Sequence, residues 1–394
     1  MRFGIFYEHQ IPRPWDDDAE HRQLQQALDQ IELADRVGFD YAWMVEHHFL
    51  EEYSHGSSPT AFLAAASQRT ERIRLGHGII QLPSNHPIRV AEHVATLDLL
   101  SNGRVELGTG EGAGPRELHP FGVRVREKRQ MWEEGIQALI PCFTEPSFEF
   151  HGKYWEWTAR NVLPKPFQKP HPPLWVACSN IKTIEMCAQR GMGALGFQFA
   201  TPEGARAWAH RYYSLFAEGP DKLCDYQTNA NLAMVGGFMC CETDEEARTK
   251  AEGWTFFVFC LEYLAANVWE PGTVNLWQEY QDWRKTPAAA KTFESGIIGS
   301  PETIRQKLRQ FATTGIDQII LLNQAGKNTH EDICASLELF AREVMPEFQA
   351  MEPEHQQWKQ DVLSGKIVLT DTDTTGHRTA MAEANPATDR FKSV

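Results

Sequence analysis

Short apolar segments alternate with longer segments of helical periodicity along most of the chain. The first apolar segment, RFGIFYE at residues 2–8, has the aromatic and β-branched character of a buried strand. The next segment, residues 19–38, has apolar positions at helical spacing and ends at Gly38, a residue suited to a helix C-cap. The same pattern repeats and predicts further strands at 41–48, 72–82, 104–110, 172–179, 193–199, 231–241 and after Gly315.

The alternation predicts eight strands, each followed by a helix. Predicted helices include 59–70, 87–100 and one that starts with Ser300 as N-cap and Pro301 as first residue. Such alternation indicates a parallel sheet covered by helices, either doubly wound or closed into a barrel. Eight units within about 345 residues favour an α/β fold of the (β/α)8 TIM barrel type, with inserted loops.

The chain is predicted to consist of a barrel over residues 1–350 and a polar C-terminal tail over 351–394. Two segments, 142–171 and 265–298, are longer than ordinary barrel connections, and long connections are usually lids or binding segments. The tail has few large apolar residues, so we expect it to be flexible or to pack on a partner subunit.

The composition narrows the class of partner. The 394 residues are 42% hydrophobic, which allows a large core. A formal net charge of -15 disfavours binding to nucleic acid or to a membrane surface. The eight cysteines show no CxxC spacing and no apolar run approaches the length of a membrane span, which predicts a cytoplasmic protein with reduced thiols. A small neutral or apolar molecule is the expected ligand.

Polar residues gather where the predicted strands end, which is where (β/α)8 barrels carry their sites. Strand two runs into Glu46, His47 and His48. Adjacent histidines on a strand point in different directions, so one is expected to face a ligand and the other to hold the loop. The sequence has no HExxH or comparable spacing of ligands, and we therefore expect a metal-free site.

Two further segments are candidates for binding a cofactor. GTGEGAG at 108–114 formally matches a dinucleotide-binding turn, but prolines interrupt the helix that should follow it. We favour a strand end that lets a flat ligand approach the backbone. ACSNIKT at 177–183 begins a helix without an acidic residue in its first turn, which suits either a phosphate group or simple N-capping. Arg129 is a candidate for added positive charge there, with a solvated helix face as the alternative.

Several segments resemble the bacterial luciferase-like flavin monooxygenases, in the same order. They include ADRVGFDYAWMVEHHF, RIRLGHGIIQLPSNHPIRVAEHVATLDLLSNGRVELGTGEG and IIGSPETIRQKLRQFATTGIDQIILL, and the resemblance extends from residue 2 to about 346. It implies a (β/α)8 barrel, a homodimer and the use of reduced FMN supplied by a separate flavin reductase. In some branches of this family the deazaflavin F420 takes the place of FMN.

The resemblance also assigns roles by position. His47 matches the family's active-site histidine, which promotes the reaction of reduced flavin with oxygen, and Glu46 is expected to hold it in place. Gly110 lies where the luciferases have a reactive cysteine, and Glu111 where they have a phosphate-binding arginine. The predicted cofactor-binding residues are Ser84, Asn85, Thr109, Gly110, Glu111, Arg129, Ser179, Asn180 and Thr183.

The function that the resemblance implies is a two-component flavin-dependent monooxygenase. It would use reduced FMN and O2 to insert one oxygen atom into a small apolar substrate of terpenoid, ketone or hydrocarbon type. His47 would act as a group whose charge changes near neutral pH. The alternatives are an F420-dependent oxidoreductase that transfers hydride and a non-catalytic flavin-binding protein. The predicted substrate pocket consists of Phe6, His9, Trp15 and Trp43, with aromatic residues of segment 265–298.

Overall fold

The computed structural model describes residues 1–197 and 201–377. The α-helices and strands in these two ranges alternate along most of the chain, as the hydrophobic pattern predicts. In chain order they are β1 (Arg2–Tyr7), α1 (Ala19–Val37), β2 (Tyr41–Met44), α2 (Pro59–Ser67), β3 (Arg74–His77), β4 (Ile80–Gln81), α3 (Pro87–Leu100), β5 (Val105–Gly110), α4 (Pro115–Leu118), α5 (Lys128–Thr144), β6 (Phe148–His151), β7 (Glu156–Arg160), β8 (Leu174–Cys178), α6 (Ile181–Arg190), β9 (Gly193–Phe197), α7 (Pro202–Ala217), β10 (Leu232–Cys240), α8 (Asp244–Lys250), α9 (Glu252–Ala266), α10 (Leu276–Trp283), α11 (Pro287–Ser295), β11 (Ile297–Gly299), α12 (Pro301–Ala312), β12 (Gln318–Gln324), α13 (His330–Glu343), α14 (Met345–Ala350) and α15 (Glu352–Leu363).

Eight parallel strands form a closed barrel. Their order is β1, β2, β3, β5, β8, β9, β10 and β12, and β12 pairs with β1 to close the ring. Short strand β4 adds to β5, and β11 adds to β10, both in parallel. The (β/α)8 prediction is therefore confirmed. The predicted strand 72–82 is divided into β3 and β4, because the chain turns at Gly78 and Ile79.

Alternation along the strands separates two apolar layers. Phe3 of β1 points outward and meets Phe340 of α13 edge to face, at 5.1 Å between ring centroids. Trp43 of β2 points inward and meets Trp175 of β8 at 5.4 Å. A side chain at Gly76 would place its Cβ 2.2 Å from the Trp43 ring, so the barrel interior needs glycine there to seat the indole.

The two long segments differ in structure. Segment 142–171 contains the antiparallel hairpin of β6 and β7, whose residues are mostly exposed or half-buried. Segment 265–298 contains α10 and α11, and aromatic residues of α10 pack against α9. Phe256 of α9 meets Trp277 of α10 at 5.1 Å. The helical segment is thus fixed to the barrel by an apolar cluster, and we call residues 265–298 the lid segment.

The C-terminal segment begins with an ordered helix. Lys359 and His355 of α15 donate hydrogen bonds to buried Asp317, which directly precedes β12, at 2.7 and 2.8 Å. Residues 352–363 therefore pack on their own chain, which differs from the expected flexible or partner-bound tail, because a buried carboxylate attracts these two side chains. The end of the predicted tail, 378–394, lies outside the described residues.

Candidate active site

The barrel contains an apolar cavity near the carboxyl ends of its strands. Its volume is about 20 Å³, room for roughly one water molecule. Two of the four predicted substrate-pocket residues, Phe6 and Trp43, line it. The lining residues are Phe6, Trp43, Gly78, Ala177, Leu195, Val235 and Ile320. Apart from the indole N–H of Trp43, which has no hydrogen-bond partner among the described residues, the lining is apolar, so the cavity suits a small apolar group.

Glycines let the backbone of β5 approach its neighbours closely. A Cβ at Gly108 would lie 2.0 Å from the His77 carbonyl oxygen. A Cβ at Gly110 would lie 2.8 Å from Cδ1 of Ile79, which is the end of a flexible side chain. The two glycines therefore allow β5 to pack closely against His77 and Ile79, and the flat-ligand interpretation of this motif stays a prediction.

His47 lies at the rim between two carboxylates from distant parts of the chain. Its Nδ1 is 2.9 Å from Oε1 of Glu117, and its Nε2 is 3.8 Å from Oε2 of Glu8. The imidazole keeps 22% of its surface exposed, whereas Glu8 and Glu117 are almost fully buried. One ring edge meets Tyr53 at 5.7 Å between centroids. The histidine is thus oriented from two sides and still accessible.

This arrangement keeps His47 protonated at neutral pH. Burial alone would lower the pKa of His47, but the charges of Glu117 and Glu8 outweigh burial and raise it to about 9. Burial alone would raise the pKa of Glu117, but its pairing with His47 lowers that pKa below the ordinary value. The sequence predicted a charge change near neutral pH, whereas the structure places the change at higher pH because two acids face one imidazole.

Glu117 was not identified as a site residue from the sequence. It lies in α4, a single helical turn within the irregular segment after β5. Its Oε1 also accepts hydrogen bonds from the His48 backbone N–H at 3.0 Å and from Nε2 of Gln81 at 2.8 Å. A carboxylate following a glycine-rich strand end was the only available signal, and nothing in its spacing connects it with residue 47.

Glu8 is the last residue of the first predicted strand segment and was given no role from the sequence. It is fully buried, and its Oε1 accepts a hydrogen bond from the Tyr53 hydroxyl at 3.1 Å. Its Oε2 has no hydrogen-bond partner among the described residues. Burial raises the pKa of Glu8 to about 7, although His47 and Tyr53 each act to lower it. Glu8 and Glu117 therefore differ in protonation although both face the same histidine.

Glu46 does not hold His47 as predicted. Its Oε1 lies 3.1 Å from Nε2 of His48 and accepts a hydrogen bond from Nδ2 of Asn85 at 2.8 Å. Its Oε2 accepts from the Gln81 backbone N–H at 3.1 Å. β2 ends at Met44, and in the irregular segment that follows it Glu46 contacts His48, whereas His47 is turned toward Glu117 and Glu8. Glu46 thus positions the second histidine and the segment around residue 85.

The predicted cofactor residues form two groups. Near His48, Asn85 is fixed by Glu46, and Ser84 donates a hydrogen bond to the Gln81 carbonyl at 2.9 Å. On β5, Thr109 accepts a hydrogen bond from the Trp132 indole at 3.0 Å, so its side chain turns outward toward α5. Thr109 can therefore meet a ligand in the barrel only through its backbone.

The second group lies at the start of α6. Asn180 caps this helix and accepts a hydrogen bond from the Thr183 N–H at 3.1 Å, so the N-capping alternative is realised. Ser179 is exposed, and the first turn carries no acidic residue. Arg129 pairs with Glu111 at 2.7 Å between Nη2 and Oε1. The glutamate at the position of the family's arginine is therefore neutralised by an arginine from α5.

Two predicted pocket residues lie away from the cavity. His9 is fully buried outside the barrel interior, where its ring meets Phe62 of α2 at 4.7 Å. Trp15 is 38% exposed, and its indole N–H donates to the Ile11 carbonyl at 2.6 Å. The guanidinium of Arg13 lies over the Trp15 ring at 3.8 Å. The chain turns outward after Glu8, with a positive φ of 52° at His9, and so removes both residues from the cavity lining.

The lid segment is fastened to the rim beside His47. Carboxylate oxygens of Glu52 accept hydrogen bonds from the backbone N–H groups of Leu276 at 2.6 Å and Trp277 at 3.1 Å. The guanidinium of Arg116, which precedes Glu117, lies over the Trp269 ring at 3.5 Å. These contacts connect the first turn of α10 and the preceding loop with the same loops that hold the histidine.

The described residues fit a flavin better than a metal ion. They contain no group of three or more His, Cys, Asp or Glu side chains arranged to hold a metal. The apolar surface that includes Phe6 and Trp43 suits a planar ring, and the start of α6, which has no acidic residue, suits a phosphate group. None of the described helices combines the length and apolar character needed to cross a membrane.

The amino-acid sequence is similar to several bacterial proteins. The 4-hydroxyprotoasukamycin monooxygenase of Streptomyces nodosus subsp. asukaensis is 30% identical over 82% of this chain and 87% of that protein. The oxygenase component of the flavin-dependent trigonelline monooxygenase of Acinetobacter baylyi is 24% identical over 88% of this chain and 96% of that protein. An uncharacterized protein of Sinorhizobium fredii is 34% identical, but the match spans only 48% of this chain and 54% of that protein.

Solved structures share the fold. Monooxygenase RslO1 from Streptomyces bottropensis superposes with a TM-score of 0.73 at 26% identity, covering 88% of this chain and 100% of that one. The coenzyme F420 dependent tetrahydromethanopterin reductase from Methanopyrus kandleri superposes with a TM-score of 0.63 at 18% identity, covering 88% and 99%. The second likeness concerns the fold alone.

The family profile described as luciferase-like monooxygenase matches residues 1–318, which is most of the barrel. The closed parallel barrel and the rim histidine agree with that match. The resemblance deduced from sequence motifs is therefore confirmed. The chain belongs to the luciferase-like monooxygenase family.

Proposed function

We propose that this protein is the oxygenase component of a two-component monooxygenase. It takes reduced FMN from a separate flavin reductase and uses O2 to insert one oxygen atom into a small apolar substrate of terpenoid, ketone or hydrocarbon type. The observation that carries the proposal is the His47 imidazolium, held by Glu117 and Glu8 at the rim of a barrel with an apolar cavity. Its likeness to an oxygenase component in Acinetobacter baylyi supports the two-component arrangement.

The binding of FMN is assigned to two parts of the rim. The end of β5 at Gly110 and the segment at Ser84 and Asn85 are proposed to border the ring system. The N-terminus of α6 holds the phosphate through backbone N–H groups and Ser179, and Arg129 with Thr183 completes that end. The residues Thr109, Glu111 and Asn180 have supporting roles in this arrangement.

The chemistry is divided between cofactor and protein. Reduced FMN, when bound, supplies the two electrons that activate O2. His47 donates a proton or hydrogen bond from Nε2 to the reacting oxygen, because its pKa of about 9 keeps it cationic at neutral pH. Glu117 holds the imidazole by Nδ1, and the lid segment with Glu52 excludes water from the cavity.

The substrate is proposed to lie against the apolar surface that includes Phe6 and Trp43, with a small apolar group entering the cavity. This lining carries no charged group, so binding depends on apolar area and shape. Limonene 1,2-monooxygenase of Rhodococcus erythropolis, a relative with 26% identity, acts on a molecule of that kind by its name. A homodimer is also part of the proposal, and Leu99 and Leu100 at the exposed end of α3 are its candidate contacts.

Isotope labelling tests the proposed reaction. Purified protein, FMN, NADH and a flavin reductase are incubated under ¹⁸O2 with terpenoids, cyclic ketones and hydrocarbons. We expect one labelled oxygen atom in the product and a loss of product formation of about 100-fold or more in His47→Ala. The matched control is His151→Ala, an exposed histidine beside Glu156 on the hairpin, which should retain full activity. A substrate that gains no label, or that is converted with F420 in the absence of O2, would overturn the proposal in favour of hydride transfer.

A further inference from the structure

We propose that Glu8 is the proton donor that restores His47 during turnover, so that the rim carries a two-residue proton relay. This inference rests on the proposed function, since it needs His47 to give up a proton to the reacting oxygen. It extends that function by assigning a second acid to the site. Glu8 stands at the end of β1, and Glu117 in α4 remains the positioning partner of His47.

The geometry leaves one oxygen of Glu8 for this role. Its Oε1 is occupied by the Tyr53 hydroxyl at 3.1 Å, and the Ser54 hydroxyl donates to its backbone carbonyl at 2.7 Å. Its Oε2 is fully buried and has no hydrogen-bond partner in residues 1–197 and 201–377. The distance from Oε2 to Nε2 of His47 is 3.8 Å, and a shift of about 1 Å brings it to hydrogen-bonding length.

The two acids are suited to different tasks by their surroundings. Glu8 is faced by His47, Tyr53, Glu117 and the thiol of Cys260, and burial is the largest influence, which brings its pKa to about 7. Glu117 accepts three hydrogen bonds, one of them from His47, and this pairing lowers its pKa. Two carboxyl groups with pKa values moved in opposite directions commonly divide the acid and base roles of a site. Here Glu8 is the one that can carry a proton at neutral pH.

The relay consumes one proton from solvent in each turnover and needs no other reactant. The Nε2–H bond of His47 breaks as its proton moves to the reacting oxygen. When that oxygen has moved away, Oε2 of Glu8 approaches the Nε2 lone pair, the Glu8 O–H bond breaks, and its proton forms a new Nε2–H bond. The Glu8 carboxylate that remains accepts the Tyr53 hydrogen bond. Solvent returns one proton to Glu8 after product leaves, so no net charge accumulates.

The relay predicts two pH limbs in the turnover rate. Glu8 donates only when protonated, so its contribution is present at low pH and is lost as pH rises through about 7. The His47 contribution is lost as pH rises through about 9. Removing the Tyr53 hydroxyl takes away a hydrogen bond that lowers the Glu8 pKa, so Tyr53→Phe should move the first limb to higher pH. A purely structural role of Tyr53 does not predict a shift in that direction.

The experiment combines NMR of the cofactor-free protein with turnover of the FMN-loaded enzyme. Histidine-labelled wild type and Glu8→Gln are titrated by ¹⁵N NMR, and the His47 pKa should fall by roughly one unit in the variant, because an opposing charge has been removed. In turnover, Glu8→Gln should bind reduced FMN with unchanged affinity, lose about 10-fold or more in kcat and lack the limb near pH 7. The matched control Glu20→Gln, which removes an exposed acid facing His55, should change none of these values.

The two proposals fail in different ways. If Glu8→Gln binds reduced FMN but keeps both limbs and a kcat within about twofold of wild type, the relay is wrong and the monooxygenase proposal stands. If no variant binds reduced FMN, the proposed function fails. The NMR titration then still decides on Glu8, since an unchanged His47 pKa overturns its coupling to the histidine.

Discussion

At the residue scale, the site depends on one histidine that meets two acids distant in sequence. The rim position of His47 could be predicted, because strand ends meet at one face of a barrel. The sequence could not show that Glu117 holds it, because α4 is a single turn with no periodicity to orient it. Glu46 was predicted to hold His47 because the two residues are adjacent in sequence, but its carboxylate contacts His48 instead.

The raised pKa of His47 makes stability depend on pH. The folded protein keeps a proton that the unfolded chain releases above about pH 6.5, since the pKa rises to about 9 on folding. The resulting stabilisation is complete below pH 6.5 and is lost as pH rises through 9, at most roughly 3 kcal/mol. Burial raises the pKa of Glu8 from 4.5 to about 7, so the folded protein also loses stability as pH rises between these two values.

Urea unfolding at about pH 6 and about pH 10 measures this loss in free energy. Glu117→Gln should reduce the difference between the two pH values, because the charge that sustains the imidazolium has gone. Glu127→Gln, a nearby acid that does not contact His47, should keep the wild-type difference. Equal pH dependence in wild type and Glu117→Gln would contradict the assignment of the histidine's charge to that pair.

At the level of single elements, the length of the lid segment predicts that it is functional but does not predict how it is attached to the barrel. Its unusual length indicated a functional segment before the structure was known. Its anchor could not be predicted, because Glu51 and Glu52 resemble surface acids in the sequence. In the structure, Glu52 is fully buried and its carboxylate receives the first N–H groups of α10. The positions of His9 and Trp15 outside the cavity could not be predicted either, because the chain turns outward at His9, which has a positive φ.

Removing the Glu52 anchor should loosen the lid segment. Glu52→Ala leaves two N–H groups of α10 without their acceptor, at a cost of about 1–3 kcal/mol each. We expect faster amide hydrogen exchange over residues 268–285 and a larger share of O2 released as hydrogen peroxide rather than in product. The control Glu270→Ala changes an exposed acid of the same segment and should leave both values unchanged. Faster exchange without more peroxide would refute the role of the lid in excluding water.

At the scale of the whole molecule, hydrophobic periodicity predicted the closed barrel well. Few folds other than a closed barrel bury the apolar surface of eight strands that each alternate with a helix. The C-terminal helix α15 was not predicted, because nothing in its polar sequence indicates that two of its side chains contact one buried acid. Asp317 receives Lys359, His355 and the hydroxyl of Tyr213. Burial would raise the pKa of Asp317, but Lys359 and His355 lower it well below its ordinary value.

Breaking this network should destabilise the barrel without changing its chemistry. Asp317→Asn leaves the buried ammonium of Lys359 without its counter-charge, and such losses typically amount to about 3–5 kcal/mol. The free energy of unfolding, measured by urea titration, should fall by that amount. The affinity for reduced FMN should be the same as in wild type. Glu354→Gln on the exposed side of α15 is the control. A loss of FMN affinity without a loss of stability would contradict the prediction that Asp317 stabilises the barrel and has no part in FMN binding.

Whether the protein uses reduced FMN with O2 is tested by an anaerobic titration of the purified protein with photoreduced FMN, with reduced F420 in parallel. We expect saturable binding of reduced FMN, weaker binding of F420, and oxygen consumption by the FMN complex when it is mixed with oxygenated buffer. His47→Ala should bind reduced FMN with similar affinity, because the histidine acts on oxygen rather than on the ring. Tight binding of F420 with no oxygen consumption would overturn the proposed use of FMN and identify a hydride-transferring enzyme on the same barrel.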